Sequence, residues 1–247
     1  MKIKLTILLA VLFCSSTLLA QEKKETKKKE KKEKSISDLT KSSKKMDGLF
    51  TIYQDTISGK LKMVVSKNQF ENEFIHFSQI ADGVTEAGGF RGLYNAGTIF
   101  NIKRYFDKIE FIAPNTNFYF DPSSPLSKSQ EANTSESIFY TTKILAHDKK
   151  EGLFLIDVNK MFVSEILTRI KSPRRPGTPS TAFSLGSFDK EKSKIKEINN
   201  YPENTNLKTQ YVYNNPSYLN GGSDAVADAR HVSIQVFHSF IKMPDDN

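Results

Sequence analysis

The chain has 247 residues, of which 38% are hydrophobic, so it is long enough for one large domain or two small ones. Its formal net charge is +8, but the first 45 residues carry 13 lysines and 5 acidic residues, and the remainder carries 23 basic and 23 acidic residues. The charge therefore gives no support to nucleic-acid binding by the folded part, and the single cysteine, Cys14, excludes a disulfide within the chain.

Residues 1–20 have the pattern of a secretory signal peptide. Two lysines precede a short apolar run over 6–13, residues 14–17 are small and polar, and Leu18-Leu19 leads to Ala20, after which we predict cleavage. The apolar run is shorter than the roughly 20 residues that span a bilayer. We therefore expect an exported protein, periplasmic, outer-membrane-associated or extracellular. Lipid attachment at Cys14 is the alternative, which Phe13 disfavours because a lipoprotein signal needs a small residue there.

Residues 21–45 form a Lys-rich tether in this interpretation. Residues 21–34 contain no apolar side chain, so they cannot bury a core and are expected to be disordered. A solvated spacer is the favoured role, and weak contact of the lysines with the anionic envelope is the alternative. We expect no specific nucleic-acid partner.

The remaining residues predict a mostly β or α+β fold of antiparallel hairpins and a meander. Runs rich in aromatic and β-branched residues alternate with turn residues at short spacing. We divide this part into a small N-terminal β region, 46–92, and a larger β-rich domain, 93–247. The predicted strands are 49–54, 61–65, 74–80, 98–104, 109–113, 138–146, 153–158, 208–213 and 231–241, with 118–120 as an extension.

One main helix is predicted over about 158–171, because apolar residues recur there at helical spacing. Pro173 ends it. The following loop, 171–179, is basic and contains Arg174 and Arg175. This arginine pair could bind an anion, but an ordinary solvated turn is the favoured interpretation.

The four histidines do not have the spacing of a zinc peptidase helix. None of His76, His147, His231 and His238 is followed by glutamate or by a second histidine four residues on. His231 and His238 are seven residues apart on one predicted strand, which places them on opposite faces. His238 shares its face with apolar residues, which indicates a core histidine.

Other catalytic motifs do not occur in the sequence. It contains no Gly-x-Ser-x-Gly turn, and the glycine-rich loop 82–92 lacks the Lys-Ser/Thr of a phosphate-binding loop. Glu71 and Glu73 carry no glycosidase prediction, because the test is the separation of two carboxylates in space. We assign no catalytic, cofactor-binding or metal-binding residue to the chain.

Several stretches resemble, in order, the N-terminal part of large secreted zinc-dependent metalloproteases of Gram-negative bacteria. In those proteins two uncharacterised β-rich domains precede the peptidase domain. The similar stretches are 48–53, 60–65, 74–80, 89–92, 104–115, 155–158, 188–193, 201–205 and 236–245.

The resemblance implies that the zinc ligands and the general base belong to a His-Glu-x-x-His helix beyond the matched residues. Zinc is therefore expected only in that peptidase domain. The expected partner is that domain or the polypeptide that contains it. The resemblance also implies a truncated product, a fragment or a split reading frame, and we do not expect catalysis by this chain alone.

Two functions remain open. A non-catalytic region of a zinc peptidase predicts an exposed apolar patch where the peptidase domain docks. A stand-alone exported envelope binding module, for a protein or glycan ligand, predicts a well-covered surface and a concave site lined by aromatic residues. The sequence has no tryptophan, which disfavours a glycan ligand.

Overall fold

The computed structural model describes residues 34–244, except 71, 96, 122, 130, 131, 133, 172, 174, 175 and 180. The predicted signal peptide, the first part of the predicted tether, Cys14, Glu71 and the Arg174–Arg175 pair therefore lie outside the described residues. Ser35–Asn247 forms one compact unit. No helix within the described part is long and apolar enough to cross a membrane.

Antiparallel strands dominate the fold, which confirms the predicted mostly β class. Among the described residues, two short α-helices accompany them, α1 (Ile36–Thr40) and α2 (Asn159–Phe162). The twelve strands are β1 (Ser43–Met46), β2 (Thr51–Asp55), β3 (Leu61–Ser66), β4 (Glu73–Asp82), β5 (Thr98–Tyr105), β6 (Lys108–Ala113), β7 (Ser137–Asp148), β8 (Leu153–Asp157), β9 (Ser187–Phe188), β10 (Lys194–Tyr201), β11 (Asn204–Asn214) and β12 (His231–Lys242).

The strands follow the order β1-β2-β3-β8-β7-β6-β5-β4-β12-β11-β10, and β9 pairs with β11. The long strand β7 belongs to both halves of this sheet, because its first part pairs with β6 and its second part with β8. Irregular pairing between Ile144 and Ala146 marks the change of partner. Strand β4, from the predicted small region, pairs with β5 and β12 of the predicted larger domain.

The main core lies between the two halves of the sheet. Buried apolar side chains from both halves are at most 7% exposed there, and each buried phenylalanine contributes about 2–3 kcal/mol by leaving water. This cluster includes Phe50, Met63 and Phe154 from the first half and Phe74, Phe100 and Phe240 from the second half. A second cluster, including Ile80, Tyr211, Tyr213 and Ile234, lies under the other end of β11 and β12.

The two ends of the sheet meet at the link between β1 and β2. The Asn200 side-chain amide donates hydrogen bonds to the carbonyls of Met46 and Phe50, at 2.9 and 2.7 Å. A Cβ atom on Gly48 would overlap this amide, so the close approach requires glycine. The sheet therefore curls until β2 and β10 lie near each other.

The folded region begins earlier than the boundary at residue 46 that we expected from the sequence. α1 starts at a capping box, in which the Ser35 hydroxyl accepts the Asp38 N–H at 3.1 Å and the Asp38 carboxylate accepts the Ser35 N–H at 3.3 Å. Ile36 and Leu39 pack on a small buried cluster beneath it. These two apolar residues explain why the chain is ordered here despite the many lysines that precede it.

The predicted helix over 158–171 is wrong beyond its first turn, and the extension at 118–120 is not a strand. α2 ends at Phe162, and Val163 has φ −101° and ψ 57°, outside the helical region. Met161 and Phe162 are nevertheless fully buried. Their apolar spacing reflects burial around a compact turn instead of a long amphipathic helix.

The Glu165 carboxylate organises the turn that follows α2. It accepts the backbone N–H groups of Ile170 and Lys171 at 3.1 and 3.4 Å, bonds that replace the helical ones. It also accepts the Tyr213 hydroxyl at 2.7 Å. The segment is thereby tied to β11.

Candidate functional site

Two of the four histidines meet inside the core, although 162 positions separate them in the sequence. Strands β4 and β12 bring His76 Nε2 to 3.2 Å from His238 Nδ1. The Tyr211 hydroxyl lies 3.0 Å from the other His238 nitrogen, Nε2. His76 is 3% exposed, and His238 and Tyr211 are fully buried. The prediction that His238 is a core histidine is confirmed.

The geometry of the histidine pair is that of a hydrogen bond. The ring centres are 5.5 Å apart, which exceeds the 3.2 Å between the nitrogens by about two ring radii. The nitrogens therefore lie on the line between the rings and point at each other. Two ligands of one zinc ion would instead direct their lone pairs at a third point. The pair does not fit zinc.

Burial keeps both imidazoles neutral at neutral pH. It lowers the pKa of His76 to about 4. Burial also lowers the pKa of His238 well below its ordinary value, and the nearby His76 lowers it further. If the Tyr211 hydroxyl donates to His238 Nε2, His238 Nδ1–H donates to His76, so each contact has one donor.

The other two histidines lie elsewhere. His147 stacks on Phe154 with 4.2 Å between ring centres, and exposed His231 lies 3.3 Å from the Lys192 ammonium. Within the described ranges, no three His, Cys, Asp or Glu side chains are grouped so that they could hold a metal ion.

The outer face of the sheet carries the clearest contact surface. Strands β4, β5 and β12 place apolar side chains there that are only half-buried, and Ile75 lies opposite both Ile99 and Ile241 in register. We call this set the outer stripe, which consists of Ile75, Phe77, Ile99, Phe237 and Ile241.

Two further side chains border the outer stripe. The Lys208 ammonium lies 4.7 Å from the centre of the Phe237 ring, a cation–π contact. The Tyr94 ring packs 6.2 Å from that of Phe77 and is 68% exposed. The stripe therefore combines apolar area with aromatic rings, and aromatic residues are enriched at protein interfaces.

A cleft of about 600 Å³ continues the same face beyond Ile99. Asn101 and Lys103, which follow Ile99 at alternate positions of β5, line it together with Phe118 and Phe120. The Asn101 Oδ1 atom is buried and has no hydrogen-bond partner within the described residues. We call this the aromatic cleft, and an unused acceptor inside it is a site for a donor group of a ligand.

The sequence contains a pattern that could have indicated the outer stripe. Alternation of apolar and polar residues, which marks a strand buried on one face, does not reveal it. Phe74, Ile75 and Phe77 on β4, like Val236, Phe237, Phe240 and Ile241 on β12, put apolar side chains on both faces of one strand. Such runs are typical of strands that are covered on both sides. In the described structure only the inner side is fully covered.

Neither a curated protein nor a solved structure matches the chain. One family model does match, over residues 98–247, a range that holds strands β5 to β12 and three of the five outer-stripe residues. This match confirms the predicted β-rich domain of uncharacterised function. The chain belongs to the family described as Domain of unknown function (DUF5117).

Proposed function

We propose that this chain is a non-catalytic, β-rich region that works beside the peptidase domain of a secreted zinc-dependent metallopeptidase. In this proposal the chain docks on the peptidase domain through the outer stripe. Its role is to shield that domain or to place substrate for it, and the zinc chemistry belongs to the partner.

The observation that carries the proposal is the half-buried apolar face of β4, β5 and β12. Five large apolar side chains lie together there, and cross-strand register links three of them, Ile99, Ile75 and Ile241. A contiguous apolar patch with a polar border is typical of a protein-interaction site. The ordered resemblance of the sequence to the region before the peptidase domain supplies the identity of the partner.

Binding to a purified zinc peptidase domain of the resembled family tests the proposal. The double variant Phe77→Glu/Phe237→Glu places two carboxylates on the outer stripe, where desolvation opposes docking. We expect the dissociation constant, measured by titration calorimetry, to rise by more than about tenfold.

A matched variant controls for the added charge. Ile57 and Leu219 are 89% and 73% exposed and lie away from the outer stripe, so Ile57→Glu/Leu219→Glu adds the same charge elsewhere. We expect this variant to bind like the parent chain. Equal affinity of both double variants, at unchanged melting temperature, would contradict docking through the outer stripe.

The aromatic cleft favours a second function, a stand-alone exported envelope binding module. Its volume is in the range of small-ligand sites, and Phe118 and Phe120 supply apolar rings beside the unpaired Asn101 oxygen. This function predicts saturable binding of oligosaccharides or peptides released from the cell envelope. Phe118→Ala should weaken that binding, whereas the outer-stripe variant should leave it unchanged.

A further inference from the structure

A second cleft, which we call the seam cleft, lies where the two ends of the curled sheet approach each other. Its volume is about 380 Å³, within the range of small-ligand sites. The turn between β2 and β3 forms one wall, the start of α2 forms another, and the residues that lead into β10 form the third. The seam cleft is separate from the outer stripe and from the aromatic cleft.

Four lysines line the seam cleft. They are exposed, and none of their ammonium groups forms an ion pair with a residue that the structure describes. The lining lysines are Lys60, Lys160, Lys190 and Lys194.

Only two acidic residues line the same cleft, Asp157 and Glu191. One oxygen of Asp157 already accepts the backbone N–H of Asn159 at 2.9 Å. The cleft therefore carries an excess of positive charge, although residues 46–247 are neutral in total. A concave surface with a net positive charge attracts ligands of the opposite sign.

Asn159 adds a neutral donor to this cleft. Its Oδ1 atom accepts the Leu61 N–H at 3.4 Å, which orients the amide. Its Nδ2 group donates no hydrogen bond within the described residues, so both of its hydrogens are open to a ligand. Four cations and an open amide donor offer an oxyanion both charge and hydrogen bonds.

We propose that the seam cleft binds a small ligand, or the end of a longer one, that carries two or more phosphate or carboxylate groups. No lining residue is an arginine, so the cleft lacks the planar fork that selects carboxylate or phosphate by geometry. Lysines act as point charges, and recognition rests on the number and spacing of negative groups. This site goes beyond the proposed function and does not depend on it.

Nuclear magnetic resonance of the full ¹⁵N-labelled chain tests the proposal with two probes, pyrophosphate and citrate. The backbone amide signals of Lys60, Asn159 and Lys194 report on the cleft separately from the Lys-rich residues near the start of the chain. We expect these signals to shift in a saturable manner with at least one probe at low ionic strength, and the shift to weaken as salt is added.

The variant Lys60→Gln/Lys194→Gln removes one lysine from each of two walls. Both side chains are exposed, so the fold should tolerate the change, which the melting temperature checks. We expect probe affinity at the cleft to fall about tenfold. Lys149→Gln/Lys150→Gln removes the same charge from exposed lysines of the β7–β8 turn, outside the cleft, and should change affinity by less than about twofold.

The two probes separate the sources of the ligand. Saturable shifts with pyrophosphate alone support a phosphate ligand, and saturable shifts with citrate alone support a carboxylate ligand. Saturable shifts with both probes support a ligand that is recognised by its charge. Absence of saturable shifts at the cleft overturns the proposal. An equal loss of affinity in both lysine double variants also overturns it, because net charge would then explain the binding.

Discussion

His76 and His238 share a hydrogen bond of 3.2 Å where the two apolar clusters of the core meet. Phe240 contacts the His76 ring edge-on, Phe162 contacts the His238 ring edge-on, and Tyr211 of the second cluster bonds to His238. The two histidines are therefore buried polar groups inside an apolar core. Its stability depends on both rings remaining neutral, because a buried charge without a counter-ion is costly.

This dependence predicts that the protein loses stability in mild acid. The folded-state pKa of His76 is about 4, below the ordinary 6.5 of the unfolded chain, so the unfolded state binds a proton first as the pH falls. The stabilisation is complete above about pH 6.5 and declines as the pH falls towards 4, by about 3 kcal/mol for His76. Urea unfolding at a series of pH values measures this decline.

Variants of two histidines assign the acid sensitivity. His76→Gln keeps an amide that can bond to His238 but does not titrate, so the slope of unfolding free energy against pH should decrease. His231→Gln, at an exposed histidine, should leave the slope as in the parent chain. An unchanged slope in His76→Gln would mean that other groups cause the acid sensitivity.

Tyr211→Phe should destabilise the fold by about 1–3 kcal/mol. The substitution removes the hydroxyl that lies 3.0 Å from His238 Nε2 and leaves that buried nitrogen without its partner. Chemical unfolding measures the cost. Tyr119→Phe removes a hydroxyl from a side chain that is 84% exposed, and it should change stability by less than about 0.5 kcal/mol. Equal effects of the two substitutions would count against a structural role of the Tyr211 hydroxyl.

Gly48→Ala should cost about 2 kcal/mol, because its methyl group overlaps the Asn200 amide that joins the two ends of the sheet. The cost should fall below about 0.5 kcal/mol when Asn200→Ala is already present, since the overlap is then gone. Gly221→Ala, at an exposed glycine with only ordinary contacts, is the control. Additive effects of the Gly48 and Asn200 substitutions would show that the two residues do not interact.

The sequence patterns predict the strands that bury apolar side chains, but they do not predict strands that consist mainly of polar residues. Strand β12 follows from the alternation that ends in Phe240, and the buried face of His238 follows from the same alternation. Strand β10 was not predicted. It lies at the end of the sheet and alternates only weakly, with Lys194, Lys196 and Glu197 around two half-buried isoleucines.

Contacts between residues that are distant in the sequence could not be predicted from local sequence patterns. No spacing links His76 to His238, because the β4–β12 pairing that joins them crosses most of the chain. The helix prediction over 158–171 was wrong because burial at helical spacing also occurs in a compact turn, here organised by the Glu165 carboxylate. The seam cleft likewise depends on segments that only the curled sheet brings together.

The outer stripe is the feature on which the proposed function depends. Site-specific photo-cross-linking in cells that produce the protein tests it most directly, with benzoylphenylalanine at Phe237 and, as a control, at Ile57, which is 89% exposed on the β2–β3 turn. We predict that position 237 cross-links to a polypeptide segment with a His-Glu-x-x-His helix and that position 57 does not. Cross-links from position 237 only to segments without that helix would contradict the proposal.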